Sequence, residues 1–415
     1  MPKKENITEN RRFSVRLKGD KSLWALVIVF SLLSLVFVYS SSSRIAVMEN
    51  TTTFSIMIKQ MNFIIAGLVV IFICHLIPLR VYRTLSYIVY LIALIILIIT
   101  LFAGESRNEG TRWISFFGFS FQPSEFAKIA LVIFVAKILE EDKMKSFKDF
   151  MIRLFIPSML FIIPIIWEGF STGSILAFTI FIMLLISNIR FSYIAKAAGI
   201  VLLLAGLAYG IYALQRAIRN DDENHLSTSR IETVEKRIMS FLGLGESTGE
   251  DEPENDQVIY SKVAIATGGI AGKIPGNGTL RHVLPLSNSD YIYSIIVEET
   301  GLIGGVFVIG LYFWLLYSVI LIAKVCRKVF SSMLVCGLGI LIVTQALIHI
   351  LVNVGLLPVT GQTLPMISSG GSSVLAVSIS FGMMISVSRA LQDEQSGTSD
   401  NTDIEYSIEN QDETK

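Results

Sequence analysis

Long apolar runs separated by shorter polar segments dominate the chain. Ten runs come near the length that a helix needs to cross about 30 Å of hydrocarbon, and they fall at about residues 23–43, 61–78, 85–103, 125–140, 152–167, 170–188, 194–215, 292–323, 332–355 and 371–390. Hydrophobic residues make up 52 % of the 415 residues and charged residues only 16 %, a composition too apolar for a soluble domain of this length. The pattern predicts an all-α polytopic membrane protein with about ten transmembrane helices.

Basic residues are distributed unevenly between the loops, and this sets the expected orientation. The N-terminal tail is basic, and alternate loops with their edges hold most of the other cations: Arg80 and Arg83; Lys143, Lys145, Lys148 and Arg153; Arg190 and Lys196; and Lys324, Arg327 and Lys328. The positive-inside rule therefore places both termini in the cytoplasm. We expect a basic cytoplasmic tail at 1–22, a membrane domain at 23–390 and a disordered, acidic cytoplasmic tail at 391–415.

One outer loop, residues 215–290, is much longer than the others and precedes the eighth predicted helix. Its segment 229–242 repeats apolar residues at helical intervals, which predicts a helix lying on the outer membrane surface. The acidic, turn-rich segment 245–257 is expected to be flexible. The last segment, 268–285, combines several glycines with Lys273 and Arg281. Such a loop brings backbone N–H groups and cations close to an anion, although many glycine-rich segments are simply loops.

Three acids stand at the start of the eighth run. Asp290 follows the long loop directly, and Glu298 and Glu299 lie inside the apolar run. An ionisable side chain within a membrane segment costs at least about 2.5 kcal/mol, so such residues usually face a protein interior or a wet cavity. Asp290 is therefore either a helix N-cap, for which Asp is favoured, or a functional acid.

Two further polar groups are candidates for the same outer region. Glu125 and Lys128 are spaced i, i+3 at the start of the fourth run, so they form either a local ion pair or, together with Arg112, a source of cations for a phosphate. Residues 355–373 are rich in Pro, Gly and Ser. No helix runs through such a composition, and we expect an ordered, non-helical loop lining an outer cavity.

The ninth run carries a polar stripe of Gln345, His349 and Asn353 at successive i+4 positions. Hydrogen bonding between helices explains such a stripe without any chemistry. His349 alone does not indicate a metal site, and the identity of any metal is left open.

Three segments together resemble a known family. They are RWISFFGFSFQPSEFAK at 112–128, GGIAGKIPGNGTLRHVLPLSNSDYIYSIIVEETG at 268–301 and NVGLLPVTGQTLPMISSGGSS at 353–373. In this order on about ten spans, they look like the SEDS family of peptidoglycan glycosyltransferases, the group of FtsW, RodA and SpoVE. The resemblance implies polymerisation of lipid II, an undecaprenyl-pyrophosphate-linked disaccharide peptide, on the outer face of the bacterial inner membrane. It also implies a class B penicillin-binding protein and other division proteins as partners, and no nucleic acid.

The resemblance also assigns roles to residues. It implies that Asp290, followed by an aromatic residue, is catalytic. It also implies roles for Glu125 and Lys128, which match the family's PSE-x-x-K motif. Independently of the resemblance, a departing pyrophosphate needs cations, for which the candidates are Lys128, Arg112, Lys273 and Arg281, and Glu298 is a further candidate for binding substrate. A divalent cation, Mg²⁺ or Mn²⁺, held by the acids is an alternative source of that stabilisation.

The chain departs from the family pattern at a few positions. A usual acid-containing motif between the fifth and sixth spans reads WEGFSTG here, which leaves Glu168 and Thr172 as its remnants. Ser369 stands where an aromatic residue is common, and Tyr260 where Gln is common.

Other functions remain open from the sequence alone. The basic N-terminus and acidic C-terminus favour the division type, FtsW, over an elongation-type RodA homologue, although tails are weak evidence. A lipid II flippase would also bury polar groups among helices, and a scaffold of a division complex would need no chemistry.

Overall fold

The structure, a computed structural model, describes residues 18–103, 105–107, 110–116, 119–141, 143–218, 239 and 253–412. Its main helices are α1 (Lys21–Ser41), α2 (Ser43–Met48), α3 (Thr53–Leu76), α4 (Leu79–Ala103), α5 (Pro123–Glu141), α6 (Phe147–Phe150), α7 (Ile156–Glu168), α8 (Phe170–Ile186), α9 (Phe191–Ile218), α10 (Pro253–Gly268), α11 (Ile292–Val325), α12 (Val329–Val354) and α13 (Gly371–Asp412). A π-helical segment, Met151–Phe155, joins α6 to α7, and a 3₁₀ turn occupies Leu280–His282. The predicted all-α polytopic class is confirmed.

A small antiparallel sheet lies between α4 and α5 and was not expected from the sequence. Its strands are β1 (Glu105–Arg107), β2 (Gly110–Phe116) and β3 (Phe119–Phe121), in the order β1-β2-β3. In β2, Thr111, Trp113 and Ser115 alternate with Arg112, Ile114 and Phe116, which is only a weak strand signal over so short a stretch.

Each of the ten predicted apolar runs coincides with a helix. Among the described helices, eight are long and apolar enough to cross a membrane, and α8 is a shorter apolar helix of 17 residues. The eight do not include α5, which carries five charged residues, two of them at its C-terminal end. The number of helices that cross the membrane therefore stays a prediction.

Helix α12 lies at the centre of the bundle. It packs against α5, α8, α10, α11 and α13, and its buried face includes Leu334, Leu338 and Ala346. The peripheral helices α3, α4 and α9 instead carry many exposed large apolar side chains, such as Ile88, Leu91 and Leu202 at 54 to 73 % exposure. A helix exposes such residues when hydrocarbon, rather than water, surrounds it.

Helix α11 is broken at Gly301. This residue has φ 72° and ψ −173°, a conformation open to glycine almost alone. The glycine-rich loop that follows α10 fills the break: the Lys273 backbone N–H donates to Glu298 O at 3.1 Å, and the Leu302 N–H donates to Gly269 O at 2.9 Å. Backbone groups freed by the break are thereby satisfied inside the protein.

Glycines allow this loop to approach the α11 backbone closely. A Cβ built on Gly268 would lie 2.2 Å from Val297 O, and one on Gly272 would lie 2.3 Å from Glu299 O. The sequence suggested these glycines for anion binding. In the structure, their first effect is to let two backbones touch.

The break gives a testable prediction. Gly301→Ala should lower the free energy of unfolding by about 2 kcal/mol or more, because alanine is strained at this φ and ψ and its Cβ would lie 2.1 Å from Ile270 O. Gly310→Ala is the matched control in the same helix, since nothing lies within 4 Å of its Cβ position. It should be neutral or stabilise by about 0.5 to 1 kcal/mol. Denaturant titration in detergent micelles measures both, and equal effects would contradict the proposed strain.

The long loop differs from its sequence-based description. The predicted surface helix at 229–242 lies outside the described residues apart from Met239. Residues 253–257, expected to be flexible, form the first turn of α10, which the sequence reading missed. Pro253 at the first helical position is a start signal. Fully buried Ser261 and Ala264 let this helix pack closely on α11 and α12.

The C-terminal segment also departs from expectation. A disordered tail was predicted from residue 391, whereas α13 continues to Asp412. Two ion pairs hold its early part: Lys18 Nζ lies 2.8 Å from Asp393 Oδ1, and Lys328 Nζ lies 3.1 Å from Glu394 Oε1. Residues beyond the predicted boundary are thus tied to the N-terminal segment and to the α11–α12 turn.

Candidate functional site

Asp290 lies directly before α11, at the end of the loop that follows α10. The N-cap residue of α11 is Tyr291, and its side chain makes no capping hydrogen bond. The Asp290 N–H donates to Leu286 O at 3.1 Å, and Leu286 has φ 53°, an unfavourable value for a leucine. Such local strain occurs often at functional sites. Asp290 thus stands one residue before the N-cap position of α11.

The Asp290 carboxylate faces the non-helical loop 355–370, which is ordered as predicted. A Cβ built on Gly361, which has φ 59°, would lie 3.5 Å from Asp290 Oδ2. The carboxylate borders a cavity of about 10 Å³ whose lining includes His349, Asn353 and Gln362. A cavity of this size holds about one water molecule, so a sugar could reach Asp290 only from its partly exposed side.

The polar stripe of α12 forms hydrogen bonds with two loops of the site, the loop that ends at Asp290 and loop 355–370. Asn353 Nδ2 donates to Asp290 O at 2.9 Å, and Asn353 Oδ1 accepts from Ser294 Oγ at 2.8 Å. His349 Nδ1 donates to Gln362 O at 2.7 Å, and Gln345 Nε2 donates to Thr363 O at 3.2 Å. Hydrogen bonding between elements, the interpretation favoured from the sequence, is confirmed.

Serines clamp the loop before Asp290 onto loop 355–370. Ser368 Oγ donates to Ser289 O at 2.7 Å, and the Ser369 N–H donates to Asn288 O at 2.8 Å. Because Ser369 uses its backbone in this contact, a different side chain at this position leaves it intact. The departure of Ser369 from the family pattern thus has little structural consequence for this contact.

The junction of α7 and α8, where the sequence departs from the family pattern, forms hydrogen bonds with loop 355–370. Gln362 Nε2 donates to Ser171 Oγ at 3.0 Å and to Thr172 Oγ1 at 2.8 Å, and Ser171 Oγ donates to Thr360 O at 3.1 Å. Glu168 is buried at the end of α7. Thr172 thereby has a positioning contact that its place in the sequence did not reveal.

Lys128 and Glu125 form a buried ion pair. Their side chains are 2 % and 8 % exposed, with Lys128 Nζ 2.9 Å from Glu125 Oε1, and Lys128 Nζ also donates to Gln345 Oε1 at 3.2 Å. Gln345 and Asn353 are eight residues apart on α12, about 12 Å along the axis. The local ion pair is thus present, and a role of Lys128 as a cation for a phosphate stays a prediction.

Glu298 holds the glycine-rich loop. Its fully buried carboxylate accepts hydrogen bonds from Lys273 Nζ at 2.8 Å, the Thr279 N–H at 2.8 Å and the Leu280 N–H at 3.2 Å. These contacts explain an acid inside an apolar run, because a buried carboxylate needs such partners. Because these contacts also engage Lys273, both Glu298 and Lys273 hold the glycine-rich loop in place in this structure.

Glu299 and Arg281 meet at Ser40 on α1. Ser40 Oγ donates to Glu299 Oε1, and Arg281 Nη1 donates to Ser40 O at 3.4 Å. Arg112 lies in β2, and its side chain is outside the described part of the chain. Within the described residues, no group of three or more His, Cys, Asp or Glu side chains could hold a metal ion. A divalent cation therefore stays a prediction.

Asn353 gives a prediction specific to this site. Asn353→Val should lower the free energy of unfolding by about 1 to 3 kcal/mol, because buried polar groups of Asp290 and Ser294 would lose their partner. Asn62→Val on α3 is the control, since Asn62 is exposed. Denaturant titration in micelles compares the two variants. Indistinguishable stabilities would mean that Asn353 does not hold the Asp290 loop.

Comparison with known proteins identifies the family. The family model FTSW_RODA_SPOVE, described as "Cell cycle protein", matches residues 20–393. The chain belongs to this FtsW/RodA/SpoVE family. Stage V sporulation protein E of Bacillus subtilis, a relative, is 31 % identical over 339 residues, which cover 80 % of this chain and 86 % of that protein. The probable peptidoglycan glycosyltransferase FtsW of Caulobacter vibrioides is 28 % identical over 80 % of this chain and 79 % of its own.

Solved structures agree with this family fold. The rod shape determining protein RodA of Thermus thermophilus has a TM-score of 0.63 at 20 % identity, covering 89 % of this chain and 97 % of that one. A chain from work on polymerization and crosslinking by a peptidoglycan synthase complex has a TM-score of 0.67 at 22 % identity, covering 89 % and 98 %. The bundle described above is therefore the fold of the FtsW/RodA/SpoVE family.

Proposed function

We propose that this chain is a peptidoglycan glycosyltransferase that polymerises lipid II on the outer face of the bacterial inner membrane, with Asp290 as general base. Its relatives in Caulobacter vibrioides and Escherichia coli bear the names probable peptidoglycan glycosyltransferase FtsW and peptidoglycan glycosyltransferase MrdB. The observation that carries the proposal is the placement of Asp290: a partly exposed carboxylate, held through its backbone by Asn353 and bordered by Gly361.

The proposed chemistry needs one base and a set of cations. The 4-hydroxyl of one lipid-linked sugar attacks the anomeric carbon of another, its proton passes to Asp290, and undecaprenyl pyrophosphate leaves. A positioned carboxylate is suited to accept this proton. Lys128, Arg112 and Arg281, or a divalent cation, would stabilise the departing pyrophosphate. Asp290 is the one acid among the described residues that line the cavity it borders, which differs from the paired carboxylates of glycoside hydrolases.

We further propose that the enzyme acts in cell division beside a class B penicillin-binding protein. The FtsW names among its relatives support division, and the peptidoglycan synthase complex with a similar fold supports a crosslinking partner. Depletion in the host should give filaments. Rounded cells would instead indicate an elongation role.

Reconstituted vesicles separate this function from a flippase. With lipid II on the face that exposes Asp290, the purified chain should consume lipid II and release undecaprenyl pyrophosphate together with glycan strands. A flippase would move lipid II across the bilayer without consuming it. Transbilayer movement with no polymer would reject the proposed activity in favour of transport.

A further inference from the structure

A basic cavity lies at the end of the bundle opposite Asp290. It has a volume of about 200 Å³ and sits between the start of α4, the α11–α12 turn and the middle of α13. Its charged lining residues are Arg80, Arg83, Glu140, Arg327, Lys328 and Glu394. The positive-inside rule predicts that this end is cytoplasmic.

Two of the cations lining the cavity have no charged partner among the residues that the structure describes. Arg83 Nε pairs with Glu140 Oε2 at 2.5 Å, and Lys328 Nζ pairs with Glu394 Oε1 at 3.1 Å. Arg80 and Arg327 have no ion pair or hydrogen bond through their side chains to any residue that the structure describes. Among the described residues that line it, the cavity therefore has four cations against two carboxylates, an excess of two positive charges.

The only thiol in the cavity lining does not offset this charge. Burial raises the pKa of Cys326 to about 11, so the thiol stays neutral near pH 7. An anion entering the cavity would meet the guanidinium groups of Arg80 and Arg327, and guanidinium groups bind phosphate oxygens in a planar, bidentate manner.

The surroundings of the cavity are apolar and exposed. Its lining includes Leu79 and Phe330, and beside it Val81, Val325 and Val329 are 37 to 50 % exposed. A ligand with a phosphate and hydrocarbon chains fits both features. The phosphate would lie against the arginines, and the chains would lie along the exposed faces of α4, α11 and α12.

We propose that this cavity binds the headgroup of an anionic phospholipid from the leaflet at that end of the bundle. Basic pockets between helices at the cytoplasmic side of membrane proteins recognise such headgroups. Because one water occupies about 30 Å³ of liquid, a cavity of about 200 Å³ has room for a phosphate with its glycerol. This site is independent of Asp290 and of the proposed glycan synthesis.

Titration of phosphatidylglycerol onto the purified full chain in neutral micelles, followed by native mass spectrometry, tests the proposal. Arg80→Gln with Arg327→Gln should weaken binding about 10- to 30-fold, which corresponds to about 1 kcal/mol for each lost cation. The matched control is Lys145→Gln with Lys148→Gln, two exposed cations on the same predicted side but away from the cavity. This control should bind like the native chain.

Two further ligands separate the sources of the phosphate. Phosphatidylcholine should bind more weakly than phosphatidylglycerol, and glycerophosphoglycerol, which lacks the chains, should bind more weakly still. The proposal is overturned if the Arg80 and Arg327 variant binds phosphatidylglycerol like the native chain, or if the free headgroup binds as tightly as the lipid. Circular dichroism checks the fold, and the single variant Arg327→Gln carries the same comparison if the double variant unfolds.

Discussion

Asp290→Asn is expected to lower the rate of glycan synthesis by about 10² to 10⁴, or about 3 to 5 kcal/mol of transition-state stabilisation. Asparagine keeps the size of the side chain, and the backbone contact from Asn353 to Asp290 O is unaffected by the change. The amide has no basicity to accept the proton of the attacking hydroxyl. The variant should therefore remain inserted, folded and able to bind its transpeptidase partner while making little polymer.

Substitutions of other acids test whether the loss of glycan synthesis is specific to Asp290. Asp256→Asn removes an exposed carboxylate on α10 and should leave synthesis near the native rate. Glu298→Gln and Glu299→Gln should act mainly through stability, since Glu298 holds Lys273 and the loop backbone. Polymer amount from lipid II, normalised to folded protein, is the measurement. More than about a tenth of native activity in Asp290→Asn would remove the catalytic assignment and make Glu125 or Glu298 the next candidate.

Lys128→Met is expected to destabilise the protein by about 3 to 5 kcal/mol. The change leaves Glu125 buried with an uncompensated charge, a situation that costs far more than the pair itself contributes. The Lys128 side chain is 2 % exposed, and its described contacts are Glu125 and Gln345. Denaturant titration in detergent micelles measures the loss.

The control for this prediction is the double variant Lys128→Met with Glu125→Gln. It removes both charges, so it should recover most of the stability lost in the single variant. Lys143→Met, at an exposed lysine, should have little effect because surface ion pairs contribute about 0 to 1 kcal/mol. If the single and double variants are equally unstable, the buried charge of Glu125 is not the cause.

Much of the helical framework could be predicted because the length of each apolar run can be read directly from the local sequence. All ten expected runs coincide with helices, but their ends do not always agree. Helix α3 starts at Thr53 rather than near residue 61. The polar first turns include Gln60, whose Nε2 donates to Ser34 Oγ on α1 at 2.9 Å. Sequence cannot reveal such a partner.

Features that depend on distant contacts were missed. The break at Gly301 exists because the glycine-rich loop supplies the missing backbone partners, and nothing near Gly301 in the sequence indicates that loop. Helix α10 has polar ends and small buried residues, so its apolar signal is weak. The sheet at 105–121 forms from strands of three to seven residues.

The candidate site, too, has parts that the local sequence predicts and parts that depend on distant contacts. Asp290, the stripe of α12 and the loop 355–370 could be singled out by residue type and position, and the structure brings them together. Lys273 was expected to stabilise the departing pyrophosphate, and Glu298 was expected to bind substrate. Their contact with each other at 2.8 Å supplies a structural explanation that only the folded chain shows.

The most direct test of the central claim is to incubate the purified chain with lipid II and separate the products by size. The assay includes a divalent cation and the partner transpeptidase, so that the proposed cofactor and the proposed partner are both present. The native chain should produce a ladder of glycan strands that a muramidase digests, and Asp290→Asn should leave lipid II largely unchanged. Unchanged lipid II with the folded native chain, or equal ladders from both proteins, would contradict glycan synthesis by Asp290.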